Sequence, residues 1–135
     1  MPAVREHMSR DLLSVEPSET ITEVAQLMVE RNIGAVLVLD GSRLVGIMTE
    51  RDLMRAVARG LPADAVVAEY MTKNPETIDP DDTTQHAAVL MIHGGFRHLP
   101  GVERNEVVGI LSIRDLMRVA LEDSPGRLRG LQRVG

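Results

Sequence analysis

The chain repeats itself. Residues 4–55 align with residues 67–118 at a constant offset of 63, without a gap, and 16 of the 52 positions are identical. Met8 pairs with Met71, Pro17 with Pro80, Thr20 with Thr83, and Leu27-Met28 with Leu90-Met91. The densest matches are Val45-Gly46-Ile47 with Val108-Gly109-Ile110, and residues 51–55 with 114–118. A duplication restricts the fold more than any local propensity does, because whatever one copy forms the other must form too. Stacked solenoids need three or more units to bury their faces. Two copies imply a closed pair related by a pseudo-two-fold axis, each half covering the other's apolar face.

Each copy reads β-α-β-β-α. In the first, a short extended piece at residues 12–15 leads through Pro17 to a helix whose start, Thr20-Ile-Thr-Glu23, is a capping box. Its apolar residues Ile21, Val24, Ala25, Leu27 and Met28 recur at helical spacing, and Asn32-Ile-Gly34 ends it. The apolar run 35–39, the turn Asp40-Gly-Ser42 and the run 44–49 read as a hairpin. A helix over 50–59 follows, closed by Gly60. Residues 61–64 form a linker, and the pattern restarts at 66–71. The second copy has a helix over 84–93 that stops at Gly94-Gly95, a hairpin of 97–102 with 107–112, and a last helix over 113–121. The expected fold class is α+β with an α/β-like order. The expected domains are residues 1–61 and 62–121 within one compact module, with 122–135 as a flexible basic tail.

Composition excludes several classes. The chain has 135 residues, 44% hydrophobic and 26% charged, enough for one domain with its own core. One Tyr and one Phe leave that core to Val, Leu, Ile, Ala and eight Met. There is no Cys, hence no disulfide framework and no thiolate chemistry. No run approaches the roughly 18 apolar residues that cross a bilayer, and the N-terminus lacks an apolar leader, so the expectation is a soluble, cytoplasmic protein with no membrane partner. A net charge of -5 opposes binding to nucleic acid, whereas a few local Arg side chains can still hold a small anion.

The residues that carry chemistry sit in the repeated strand-to-helix junction. Gly46-Ile-Met-Thr49-Glu-Arg51-Asp52 and Gly109-Ile-Leu-Ser112-Ile-Arg114-Asp115 share one form. A strand delivers a hydroxyl to the mouth of a helix, where free N–H groups and the positive dipole end favour an anion. An Asp three residues on can accept hydrogen bonds from both hydroxyls of a ribose, as acidic side chains do in dinucleotide folds. The same Thr-x-x-Asp and Ser-x-x-Asp patterns also serve as plain helix caps. Repetition at one register, each time after an apolar strand, favours the ligand reading.

The tandem β-α-β-β-α order, the Met8-Ser9 and Met71-Thr72 openings, the segment 21–38 and both junction motifs resemble the CBS (cystathionine beta-synthase) domain family over residues 4–121. The resemblance implies a stand-alone CBS pair, its repeats packed through their sheets around two clefts. It implies a non-enzymatic sensor that binds an adenosyl ligand (AMP, ADP, ATP or S-adenosylmethionine), with no obligatory cofactor. Carried over, Asp52 and Asp115 hold ribose hydroxyls with Thr49 and Ser112 beside them, flanked by Arg51 and Arg114. Ser14-Val15 and Thr77-Ile78 take the adenine-lining position, reading the base through backbone groups. Arg97 and His98, in Gly95-Phe-Arg97-His98-Leu-Pro100, take the position of phosphate ligands, whereas the first repeat offers Gly34 and Ala35 there. Unequal sites are therefore expected, with Arg97 and His98 serving the cleft built on Asp52. Two departures bear on pocket width: Leu37 stands where the family has Pro, and Gly101 follows Pro100. The family also implies a homodimer through Leu53, Met54, Val57, Leu116, Met117 and Ala120, together with an unidentified protein partner. The alternative is a module of the same fold that mediates protein interaction without ligand.

Other constellations reduce to simpler readings. His86 and His93 lie about two helical turns apart, too far to share an ion without a third element. Met28, Met54, Met91 and Met117 occupy equivalent helical places and read as core or dimer-interface filler. Arg127, Arg129 and Arg133 read as a solvated tail. No nucleophile with a base, no acid-base pair and no metal cluster is visible, so no enzyme is expected.

Overall fold

The computed structural model describes residues 2–122, and the basic tail expected at the C-terminus lies outside them except for Glu122. The described residues divide into two compact units: Asp11–Glu76 with Arg104–Val107, and Thr77–Glu103 with residues 108–122 and 2–10. These units are not the two halves of the chain, for a reason found in the packing of Val4, Met8, Val67 and Met71.

In the first unit a four-stranded sheet has the order β1-β2-β3-β4. Strand β1 (Ser14–Val15) is parallel to β2 (Ala35–Asp40), and the helix between them, α2 (Ile21–Arg31), makes the crossover that parallel neighbours require. Strand β3 (Arg43–Thr49) returns antiparallel to β2 through a two-residue loop, in which Gly41 holds φ +64 as the first central residue. Helix α2 buries Ile21, Val24 and Met28, the i, i+3, i+7 stripe. Thr20 caps it, accepting from the Glu23 N–H at 3.2 Å, and its hydroxyl donates to the Glu23 carboxylate at 3.0 Å. Asn32 ends it in the left-handed region. Helix α3 (Glu50–Ala58) follows β3 directly.

The remaining edge comes from beyond the first repeat. A short helix α4 (Val67–Tyr70) and strand β4 (Thr72–Lys73) follow the linker, and β4 pairs antiparallel with β3 at Gly46 and Ile47. Val67 is fully buried in the core of Val15, Ile21, Val24, Met28, Val36, Val38 and Met48, with Met71 packed against it. The Val67 N–H bonds to Glu19 O at 2.8 Å and the Ala68 N–H to Pro17 O at 3.0 Å.

The second unit mirrors this with the start of the chain. Helix α1 (Val4–His7) places Val4 and Met8 in a core with Ile78, Ala87, Met91, Leu99 and Leu111. The Val4 N–H bonds to Asp82 O and the Arg5 N–H to Pro80 O, each at 2.8 Å, the counterparts of the α4 contacts. The Arg5 guanidinium also bonds to Asp81 at 3.0 Å and to Glu103. Helix α5 (Thr84–Gly94) buries Thr84, Ala87 and Met91 and ends at left-handed Gly95. Strands β5 (His98–Glu103) and β6 (Glu106–Ser112) form the hairpin, with Arg104 and Asn105 both at positive φ as a type I′ turn demands. Helix α6 (Ile113–Glu122) completes the unit. Flanking strands shrink here to single bridges, Ile78 with Gly101 and Ser9 with Ile110. In the first unit the Leu37 N–H bonds to Leu13 O at 3.0 Å, and the matching residue in β5 is Pro100, which has no N–H to give.

Helices α1 and α4 have no counterpart in the sequence expectation, which assigns no element to residues 4–7 and only restarts the pattern at 66–71. Their four-residue length leaves no periodicity to detect. Each lead-in instead completes the core next to the other repeat's hairpin: Gly46 faces Met71 and Gly109 faces Met8, so closely that a Cβ there would lie 2.3 and 2.4 Å from the respective Sδ.

Candidate functional site

Both acid residues of the junction motif are buried, Asp52 at 5% exposure and Asp115 at 9%. A carboxylate removed from water needs a hydrogen bond for nearly every lone pair, or burial becomes costly. At Asp52, Oδ2 accepts the Thr49 backbone N–H at 2.9 Å and the Thr49 hydroxyl at 3.0 Å, and Oδ1 accepts the Thr72 hydroxyl at 3.0 Å. The Asp52 N–H returns a bond to Thr49 Oγ1 at 3.3 Å. At Asp115, Oδ2 accepts the Ser112 N–H at 2.7 Å and hydroxyl at 2.9 Å, while Oδ1 accepts Arg118 Nη1 at 3.1 Å. The Asp115 N–H bonds to Ser112 Oγ at 3.2 Å. The motif thus closes a reciprocal cap at the start of α3 and of α6; the donors to Asp52 are all neutral, whereas Asp115 also accepts from the Arg118 guanidinium.

The other residues singled out by the sequence fall around these caps. Ser14 is exposed and Val15 buried; both pair with β2 at Leu37 and Val38, and Ala35 of β2 pairs with Thr49. Thr77 is exposed and Ile78 buried, with the Ile78 N–H on Pro100 O at 2.9 Å and its carbonyl taking the Val102 N–H at 2.9 Å. Arg51 and Arg114 lie exposed in the first turns of α3 and α6. Exposed Arg97 and half-buried His98 stand at the head of β5, in the unit that holds Asp115, where Arg97 O accepts the Ile113 N–H at 2.9 Å.

Two site contacts escaped the sequence reading. In the sequence Thr72 stands out only as half of the Met71-Thr72 opening, and Arg118 only as a repeated identity with Arg55. The recurrence of both positions was a signal, but pairing a hydroxyl with an acid 20 residues away needs the β3–β4 register. Of the four repeated methionines, Met28 and Met91 are core residues, whereas Met54 and Met117 are 70% and 61% exposed. Val57 and Ala120 are exposed as well, while Leu53 and Leu116 pack partly against the cores.

Away from the caps, His86 Nδ1 meets Asp82 Oδ2 at 2.5 Å across the first turn of α5. The hydrogen bond to His86, with a second from the Thr83 N–H, holds the Asp82 carboxyl below the usual carboxylate range. No group of three or more His, Cys, Asp or Glu among the described residues is placed to hold a metal ion, and no described helix is long and apolar enough to cross a membrane.

The fold and its twin caps define a duplicated α+β module with one buried hydroxyl-carboxylate pair at each strand-to-helix junction. The CBS domain model matches the chain twice, over residues 4–59 and 67–122, and the chain belongs to the CBS domain family. An uncharacterized 17.7 kDa protein of Acidianus ambivalens is 43% identical over 110 residues, a match that covers 80% of this chain and 66% of the relative. Among solved structures, the CBS domain pair of protein MJ0100 in complex with 5'-methylthioadenosine and S-adenosyl-L-methionine superposes with a TM-score of 0.86 at 26% identity, covering 92% of this chain and 99% of that one. The CBS domain protein PAE2072 from Pyrobaculum aerophilum, complexed with AMP, gives a TM-score of 0.78 at 31% identity over 84% of this chain and 89% of that one.

Proposed function

We propose that this chain is a non-enzymatic regulatory module that binds an adenosyl nucleotide, with Asp52 and Asp115 each receiving a ribose diol. The observation that carries the reading is the twinned carboxylate: two buried acids, each at the head of a helix beside a hydroxyl, at the same register of a duplicated chain. Similar solved structures hold AMP, or S-adenosyl-L-methionine with 5'-methylthioadenosine, which supports the ligand class. Backbone groups of Ser14-Val15 and Thr77-Ile78 line the base in this reading, and Thr49 and Ser112 keep the acids in place. Arg51, Arg114, Arg97 and His98 supply cationic or donor groups for a phosphate. Two copies associate through the exposed apolar residues of α3 and α6.

Isothermal titration of the purified protein with AMP, ATP and S-adenosylmethionine tests the reading, alongside Asp52→Asn and Asp115→Asn. Saturable binding that one substitution removes supports an adenosyl sensor and names its working site. No heat with any of the three ligands favours the ligand-free interaction module.

A further inference from the structure

The two acids differ in their third partner. Arg118 lies one helical turn beyond Asp115 on α6 and donates Nη1 to Oδ1 at 3.1 Å. Arg55 stands at the same register beyond Asp52 on α3, but its side chain makes no ion pair among the described residues; Asp52 Oδ1 takes the Thr72 hydroxyl instead. A carboxylate has about four acceptor positions. Each acid spends two on its cap and one on this third partner, which leaves one position where a ribose diol brings two donors. A hydroxyl both donates and accepts, so Thr72 can turn, release Oδ1 and take a ribose O–H on its own oxygen. A guanidinium has donors only. Arg118 therefore has to leave Oδ1 before a diol can occupy both remaining positions.

We propose that Arg118 is a latch on the Asp115 carboxylate: a ribose docks there only when Arg118 swings out, whereas Asp52 takes its ribose with Thr72 still in place. The proposal rests on the nucleotide reading above and adds an ordering to it, with the Asp52 site filling first. The Arg118 side chain is 64% exposed against 11% for Asp115, so the released guanidinium goes straight into water. A pair whose cation lies mostly in water, as here, shifts an equilibrium by about 1.4- to 5-fold.

Adenosine is the suitable probe, because it carries the diol and no charge. It is titrated into the full chain carrying Asp52→Asn, which isolates Asp115, and into the same chain with Arg118→Leu, Arg118→Gln or Arg55→Leu added; urea unfolding confirms that each is folded. Removal of Arg118 by either substitution is expected to tighten adenosine binding about 1.4- to 5-fold, and Arg55→Leu to leave it unchanged. Added salt, which screens the ion pair, is expected to tighten binding only where Arg118 is present. Equal affinities with no difference in salt response overturn the latch while leaving the nucleotide reading intact. Weaker binding without Arg118 overturns it in favour of a ligand contact. Failure of adenosine and AMP to bind any variant, the unsubstituted chain included, overturns the nucleotide reading and the latch together.

Discussion

Replacing Gly46 by Ala tests how the borrowed edge strand holds the site. Gly46 does not occupy the left-handed region, so Ala brings no backbone strain there, only volume. Its Cβ would lie 2.3 Å from Met71 Sδ, 2.9 Å from Met71 Cγ and 3.0 Å from Thr72 O. Carbon contacts settle near 3.5–4.0 Å, so the neighbours must retreat by about an ångström. The thioether end of Met71 can turn aside, but Cγ and a backbone carbonyl move only if β4 moves. That strand is held to β3 by two residue pairs, Gly46 with Lys73 and Ile47 with Thr72. Overpacking of this sort costs ~1–3 kcal/mol, and displacement of Thr72 also withdraws a donor from buried Asp52. Urea unfolding followed by circular dichroism should show a lower midpoint with an unchanged slope. In a Met71→Ala background the penalty of Gly46→Ala should shrink, because the two nearest atoms, Met71 Sδ and Cγ, no longer crowd the new methyl. A loss below about 0.5 kcal/mol, the scale of an inert surface change, or a penalty independent of Met71, would refute the reasoning.

Two further expectations follow from burial and charge. Met48 is completely buried and Met54 is 70% exposed, so Met48→Ala should cost ~2–5 kcal/mol, while Met54→Ala on the isolated chain stays within about 0.5 kcal/mol; equal losses would contradict the packing. The Asp82 carboxyl is held below its ordinary value of 3.8 by His86 and the Thr83 N–H. Its contribution is complete above that value and fades as pH falls through the lower folded-state value. Asp82→Asn should therefore flatten the acid limb of the stability profile, as read from urea midpoints across the acid range.

Much of the architecture is legible in the chain before any coordinates. The helical stripe of α2, the hairpin turn at Gly41 and the caps at Thr49 and Ser112 all express local rules, and the 63-residue repeat carries them from one copy to the other. Steric freedom at a turn, helical periodicity and the orphan N–H groups of a first turn act over three or four residues, so neighbouring letters suffice to read them. The candidate acids, Asp52 and Asp115, emerge the same way, since each bonds to a residue three positions earlier.

What surrounds those acids was decided by tertiary structure. Thr72 reaches Asp52 because β4 takes the free edge of β3, and an edge accepts any strand of matching register without leaving a trace in local composition. The lead-in residues Val4 and Met8 enter one core and Val67 and Met71 the other, where their volume fits against glycines at 109 and 46. Arg55 and Arg118 are the same letter in the same frame, yet only Arg118 bonds to its acid, because the choice of partner depends on what else comes within reach in space. Duplication gave the two copies the same local frame, and the contacts around each acid made them different.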